Sequence, residues 1–369
     1  MLKIYLPALL AAGLLLAASG CARQEPLELP TETAAVVLET PVPETEPPVT
    51  TIPETEPPET EAQPEAFLLT FAGDCTLGSN PSNSFADVGF IKTVGEDYGY
   101  PFRNVLSYFE NDDFTMVNLE GPLCDSGKPV QKKHAFRGPT AYTAILTENS
   151  VDAVTIANNH TQDYGVSGYE STRTALDSAG VPYVERDMTK LVTTESGLTI
   201  GLYGMVYYNL DVEDMTRQIG ELKKQGAELI IVAPHWGTEG TYRPTAQQTE
   251  VGHAAIDAGA NIVFGTHPHV LQPIESYNGG MIYYSLGNFS FGGNGMPGDF
   301  DTALLQQEVI RQPDGSIELG GLTRIPASIS SIAEWNNFQP TPLEPESEAY
   351  ARVLSKLDGS FTGPNLKIH

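Results

Sequence analysis

The chain has 369 residues and sets 47 Asp plus Glu against 20 Lys plus Arg, a formal net charge of -27. A surface this acidic repels nucleic acid and anionic lipid headgroups, which excludes nucleic-acid binding as a main role. Three cysteines without CxxC or Cys/His spacing exclude a structural zinc module of that kind.

Residues 1–21 carry one early cation, Lys3, then an apolar run that ends Ala18-Ser19-Gly20-Cys21. The run is short for a membrane span and fits an export signal with small residues before its cleavage point. The ending resembles a bacterial lipobox, with Cys21 as the lipidated first residue of the mature protein; a plain secretory signal gives the same run. Segment 22–65 holds 11 Glu and one Arg and repeats Pro-Glu-Thr-Glu-Pro-Pro. It has little apolar surface with which to offset ordering entropy, so it reads as a disordered tether. At ~3.1 Å per residue in polyproline II it would reach at most about 140 Å.

From residue 66 short apolar runs alternate with helical patterns. Strands are predicted at 67–72, 114–119, 153–156, 198–205, 229–233, 262–264 and 281–284. Helices are predicted at 140–148, 168–179, 215–225 and 245–258. Near-continuous apolar strands alternating with helices indicate an α/β domain whose sheet is covered on both faces. Residues 301–325 add one or two strands and 346–357 a late outer helix. The organisation is therefore leader 1–21, tether 22–65, one domain over 66–330, and an extension over 331–369.

Nearly every predicted strand runs out into a polar signature, where α/β sheets bind ligands. These are Gly73-Asp74, Asn118-Leu119-Glu120, Asn158-Asn159-His160, His235-Trp236-Gly237 and Thr266-His267-Pro268-His269. Asp74, Glu120, Asn159, His235, His267 and His269 offer hard oxygens and imidazoles in a mixture suited to one or two Mn, Fe or Zn ions. Such ions would activate a nucleophile and clamp the oxygens of a phosphoryl centre. His160 is placed to stabilise charge or protonate a leaving group. Asp163 and Glu239 are either partners that orient the histidines or ordinary helix-start and loop acids. Spacing leaves open whether Asn158 or Asn159 points inward.

Other residues carry two readings each. Trp236 either stacks on substrate or packs in the core. Cys75 and Cys124, each close to a site residue, either pair as a disulfide at the rim or stay free. Lys128, Lys132, Lys133, His134 and Arg137 form either a docking strip for a polyanion or a solvated loop. His134, His253 and His369 lack motif context and read as surface residues.

Taken in order, Phe71-Ala72-Gly73-Asp74, Val117-Asn118-Leu119-Glu120-Gly121-Pro122, Phe136-Arg137-Gly138-Pro139, Ala157-Asn158-Asn159-His160 and Asp163-Tyr164-Gly165 resemble the CapA family of poly-γ-glutamate capsule proteins. His235-Trp236-Gly237 with Glu239, Gly265-Thr266-His267-Pro268-His269 and Tyr284-Ser285-Leu286-Gly287-Asn288-Phe289 continue the match. The resemblance implies a divergent calcineurin-like metallophosphoesterase fold, with layered sheets flanked by helices. It implies a role in making, exporting or anchoring poly-γ-glutamate at the outer face of the membrane, beside membrane-bound capsule synthase subunits. It also implies candidate ligands at Asp74, Asn159, His235, His267 and His269, with Glu120 near the bridging acid. Thr76 stands where that superfamily has a histidine, and Asn118-Leu119-Glu120 replaces its Gly-Asp-x-x-Asp. A phosphoesterase acting on another extracellular substrate, and a non-catalytic assembly component, therefore stay open beside a metal-dependent hydrolase of the capsule.

Overall fold

Residues 63–80 and 89–367 are described by a computed structural model. The leader, Cys21, the tether through residue 62 and His369 lie outside the described residues. In chain order the elements are β1 (Glu65–Thr76), α1 (Phe90–Val94), α2 (Leu106–Phe109), β2 (Phe114–Leu119), α3 (Thr143–Thr147), β3 (Ala153–Thr155), α4 (Gly165–Ala179), β4 (Tyr183–Val184), β5 (Thr189–Thr193), β6 (Thr199–Val206) and α5 (Val212–Lys224). There follow β7 (Leu229–His235), α6 (Ala246–Ala258), β8 (Ile262–Phe264), β9 (Ile274–Tyr277), β10 (Gly280–Tyr283), β11 (Asn288–Phe291), β12 (Asp301–Arg311), β13 (Ile317–Ser328), β14 (Thr341–Pro342) and α7 (Glu348–Leu357).

Side chains alternate along a strand, so an apolar strand must bury two faces. Phe67, Leu69 and Phe71 of β1 enter one buried cluster with Ile200 and Leu202 of β6, Ile231 of β7 and Phe264 of β8. The Phe71 ring lies 5.4 Å from Phe264 and 5.5 Å from Tyr283. Two sheets therefore pack face to face. The first runs β14-β13-β12-β1-β2-β3-β4, with β11 beside the end of β1; the second runs β5-β6-β7-β8-β10-β9.

The outer faces take the helices. Ala72, Val117 and Val154 meet Phe90, Ile145 and Leu176 of α1, α3 and α4. Ile230, Val232 and Val263 meet Met215 and Ile219 of α5 and Val251 and Ala255 of α6. Each of the Val, Ile, Leu, Phe and Met side chains among them contributes roughly 1.5–3 kcal/mol on burial. The layered sheets flanked by helices that the resemblance implies are thus two, each covered by helices on one face and by its partner on the other.

Local chemistry fixes the helix ends. Asp211 accepts from the Asp214 amide at 3.0 Å and starts α5. Thr245 and Gln248 form a reciprocal capping box that starts α6, which ends at Gly259 with φ 103°. The late helix α7 buries Val353 and Leu357 in the core between the sheets. No helix among the described residues is long and apolar enough to cross a membrane.

Candidate metal centre

The carboxyl ends of strands from both sheets meet at one place. β1 delivers Asp74, β2 delivers Asn118 and, one residue past its end, Glu120, and β3 leads into Asn158-Asn159-His160. From the second sheet β7 ends on His235, and β8 leads into Thr266, His267 and His269. Gly73 lets the segment carrying Asn288 approach: a Cβ there would lie 2.0 Å from the Gly287 carbonyl oxygen. The Asp74 amide donates to that same oxygen at 2.8 Å.

A chain of amides fixes the acids. Asn118 Nδ2 donates to Asp74 Oδ1 at 2.8 Å and to Glu120 Oε2 at 3.3 Å. Asn158 Nδ2 donates to Asn118 Oδ1 at 3.0 Å and to the Leu119 carbonyl at 2.9 Å. Asn159 Oδ1 instead lies 2.9 Å from His235 Nε2, and Thr266 Oγ1 lies 2.9 Å from His235 Nδ1. The two asparagines thus divide the work: Asn158 braces the first sheet, and Asn159 reaches across to the second.

His269 Nδ1 sits 3.2 Å from Asp74 Oδ2 and 3.0 Å from Asn288 Oδ1, and its Nε2 is 3.6 Å from Glu120 Oε1. His267 and His269 hold φ of 101° and 58°, a region that side chains other than glycine rarely adopt. His267 packs 4.6 Å from the His235 ring.

Ligand atoms fall into two groups, each within 4.8 Å: Asp74, Glu120 and His235, and Glu239, His267 and His269. Asp74 Oδ2 and Glu120 Oε1 are buried with only histidine ion-pair contacts, and His267 Nδ1 is buried without a hydrogen-bond partner. Two adjoining buried carboxylates are costly unless positive charge faces them. Burial raises Glu120 well above the usual carboxylate range; His269 opposes that rise and the Asp74 charge adds to it. Burial also pulls His269 down, but Glu120, and then Asp74, outweigh it and hold it up at about 10. The acid pair favours a positive charge at this point, which either a proton on His269 or a divalent cation would supply. Burial, followed by the neighbouring histidines, lowers His235 well below its usual value and His267 to about 3. Both are therefore neutral at physiological pH, as metal-ligating imidazoles must be. The donor set fits a divalent cation.

His160 borders this cluster, its Nε2 3.7 Å from Glu120 Oε1. Its Nδ1 lies 2.8 Å from Asp163 Oδ2, which also accepts from the Phe136 amide at 2.7 Å. Burial lowers its pKa despite the Asp163 carboxylate. Lys132, read in the sequence as part of a basic strip, folds in to pair with Asp163 Oδ1 and comes 3.1 Å from His160 Nδ1. Asp163 thus orients His160, and Glu239 stands with His267 and His269 as a prospective ligand.

Two of the paired sequence readings resolve to one side. Cys75 and Cys124 are both free and buried; Cys75 belongs to the helix-side core, so no rim disulfide forms. Trp236 is fully buried and donates from Nε1 to the Tyr284 carbonyl at 2.9 Å, which makes it a core residue. Asn118, Asn288 and Thr266 carry bonds that spacing did not assign, although each lies inside a quoted motif. Polar residues next to the strand ends that carry the quoted motifs are the available signal.

A family model described as bacterial capsule synthesis protein PGA_cap matches residues 68–293. The chain is 30% identical over 276 residues to the PGA biosynthesis protein CapA of Bacillus subtilis (strain 168), covering 68% of this chain and 70% of that protein. It is 30% identical over 272 residues to the capsule biosynthesis protein CapA of Bacillus anthracis, covering 66% and 64%. A probable polyglutamine synthesis accessory protein of Mycobacterium tuberculosis is 26% identical over 227 residues, or 52% and 60% of the two chains. Among solved structures, the NAD nucleotidase NadN of Haemophilus influenzae aligns over 80% of this chain and 63% of its own, with 12% identity and a TM-score of 0.42.

Proposed function

The chain belongs to the bacterial capsule synthesis protein PGA_cap family, and from that premise we propose that it serves poly-γ-glutamate capsule synthesis through a divalent-metal centre at the junction of its two sheets. Asp74, Glu120, Asn159, His235, His267, His269 and Glu239 are the residues that would hold one or two ions. The observation that carries the reading is the pair of donor groups, Asp74 with Glu120 and His235, and Glu239 with His267 and His269, each with its ligand atoms within 4.8 Å. A divalent cation there would supply Lewis acidity toward an oxygen-rich group such as a phosphoryl or carboxyl centre.

The remaining residues have tasks of their own. Asp163 accepts from His160 Nδ1, which leaves Nε2 facing the cluster to take or give a proton. Lys132 balances the buried Asp163, so that carboxylate does not compete for the ion. In this reading Cys21 anchors the protein by lipid at the outer membrane face, the 22–65 segment spaces the domain from it, and membrane-bound synthase subunits are the neighbours. Hydrolysis of a bond in or near the polymer is the favoured activity.

Bound ion must stabilise the folded state. Chelated protein supplied with excess Mn2+ or Zn2+ is expected to melt several degrees higher, with no such rise on adding K+. An unchanged melting temperature with either divalent ion would remove the metal reading.

A further inference from the structure

Beside the metal centre, β6 ends in a four-residue turn, closed by the Asn209 amide donating to the Val206 carbonyl at 2.8 Å. The two central positions of such turns usually go to Gly, Asn, Asp or Pro. Here they hold Tyr207 and Tyr208, which stay 41% and 55% exposed. Neither belongs to a buried apolar cluster, so burial does not explain why aromatic rings stand there.

Their placement is fixed from the site outward. The Tyr207 amide donates to the His235 carbonyl at 2.8 Å, which ties the turn to a candidate ligand's own backbone. The Tyr207 ring stacks on His267 at 5.0 Å and 19°. Tyr208 stands edge-on to Tyr207 at 5.2 Å, and the Arg186 guanidinium lies 5.5 Å over the Tyr208 ring. Arg186 Nη1 also approaches Tyr208 Oη at 3.4 Å. The Arg186 side chain remains half exposed, with a long 3.4 Å contact to Asp187. Asn158, Asn159, Thr161, Gln162, Arg186 and Tyr208 line a cavity of about 210 Å³ at this point.

We propose that the Tyr207–Tyr208 turn, Arg186 and this cavity form the subsite that holds a carboxylate-bearing polyamide chain next to the metal centre. The inference rests on the capsule reading above and names how its polymer would be gripped. Flat exposed rings match the planes of backbone amides, and a guanidinium matches a carboxylate in a planar fork. Charge complementarity selects the occupant: on a chain of net charge -27, a polyanion needs a local cation to land. The Gln162 side-chain amide, on the cavity wall, would accept from and donate to the chain's own peptide groups.

The test uses the full-length protein loaded with its metal and a γ-linked glutamyl oligomer as probe, followed by calorimetric titration at low salt. Arg186→Gln and Tyr208→Ala should each weaken binding about tenfold, with melting temperature and metal content unchanged because both side chains are exposed. The amidated, uncharged oligomer should bind far more weakly. Wild-type affinity in both variants would overturn the proposal, as would equal binding of the neutral oligomer. Tighter binding of a polyglycerol phosphate at the same residues would overturn it in favour of a phosphate polymer. An unbound oligomer on metal-replete protein would sink the subsite alone. Protein that holds no metal would sink the metal centre itself.

Discussion

His267 and His269 are the residues that most clearly trade local comfort for chemistry. Both hold positive φ, at a cost of order 1–3 kcal/mol each. Both project into the cluster from the short segment after β8, which Pro268 stiffens. At such a φ glycine relaxes the backbone and alanine does not. Metal-free His267→Gly is therefore expected to be more stable than metal-free His267→Ala by about 1 kcal/mol, the reverse of the usual glycine penalty, as read from urea midpoints. Equal or inverted midpoints would mean that the backbone there is not strained. Residue identity made these histidines legible in the sequence, since the i, i+2 pair after an apolar strand stands out. Their conformation was not legible, because φ follows from how the segment packs against His235, Asn288 and Tyr207. Lys132 shows the same boundary: its charge was visible, but its partner, Asp163, lies 31 positions away in the chain.

At the scale of elements, the long apolar strands declared themselves. The predicted 114–119 is β2 as observed, and 67–72, 229–233 and 262–264 are the cores or whole of β1, β7 and β8. The last residue assigned to the tether, Glu65, already pairs with Arg311 across β1 and β12. Short or edge strands escaped: β4 has two residues, and β5 and β9 are only partly buried, so neither has the apolar run that identifies a strand. The opposite ends of the strands from the metal centre carry acids of their own. Asp112 accepts from Thr115 Oγ1 at 2.7 Å at the entry to β2, close to Asp113 and Asp152. Burial raises its pKa from 3.8 to about 7, against the pull of Thr70 and Thr115. Folded Asp112 thus binds its proton more tightly than the unfolded chain does. Its favourable contribution is complete below the unfolded value and is lost as pH climbs toward about 7. Asp112→Asn, which keeps the acceptor and removes the charge, should gain on the wild type by a few degrees in melting temperature between about pH 5 and about pH 8. A constant difference across that range would contradict the assignment.

Across the whole molecule, the strand-end pattern identified one converging site, but not that two sheets build it. Sequence places Asp74 and His267 at equivalent strand ends; only the packing of Phe71 against Phe264 and Tyr283 shows that these ends belong to facing sheets. The C-terminal segment is joined to the same body. Lys356, buried on α7, pairs with Asp299 and Asp301 at 2.6 and 2.7 Å, and Leu366 donates to the Gly240 carbonyl at 2.9 Å. Gly240 in turn donates to the carbonyl of Pro268, between the two histidines. A centre held from both sheets must fail when either side is cut. The most direct measurement is metal content, by elemental analysis, of the purified protein beside folded Asp74→Ala and His267→Ala variants. The wild type should carry a divalent transition metal, and each variant, altered on a different sheet, should lose most of it. Equal metal in all three would contradict the account.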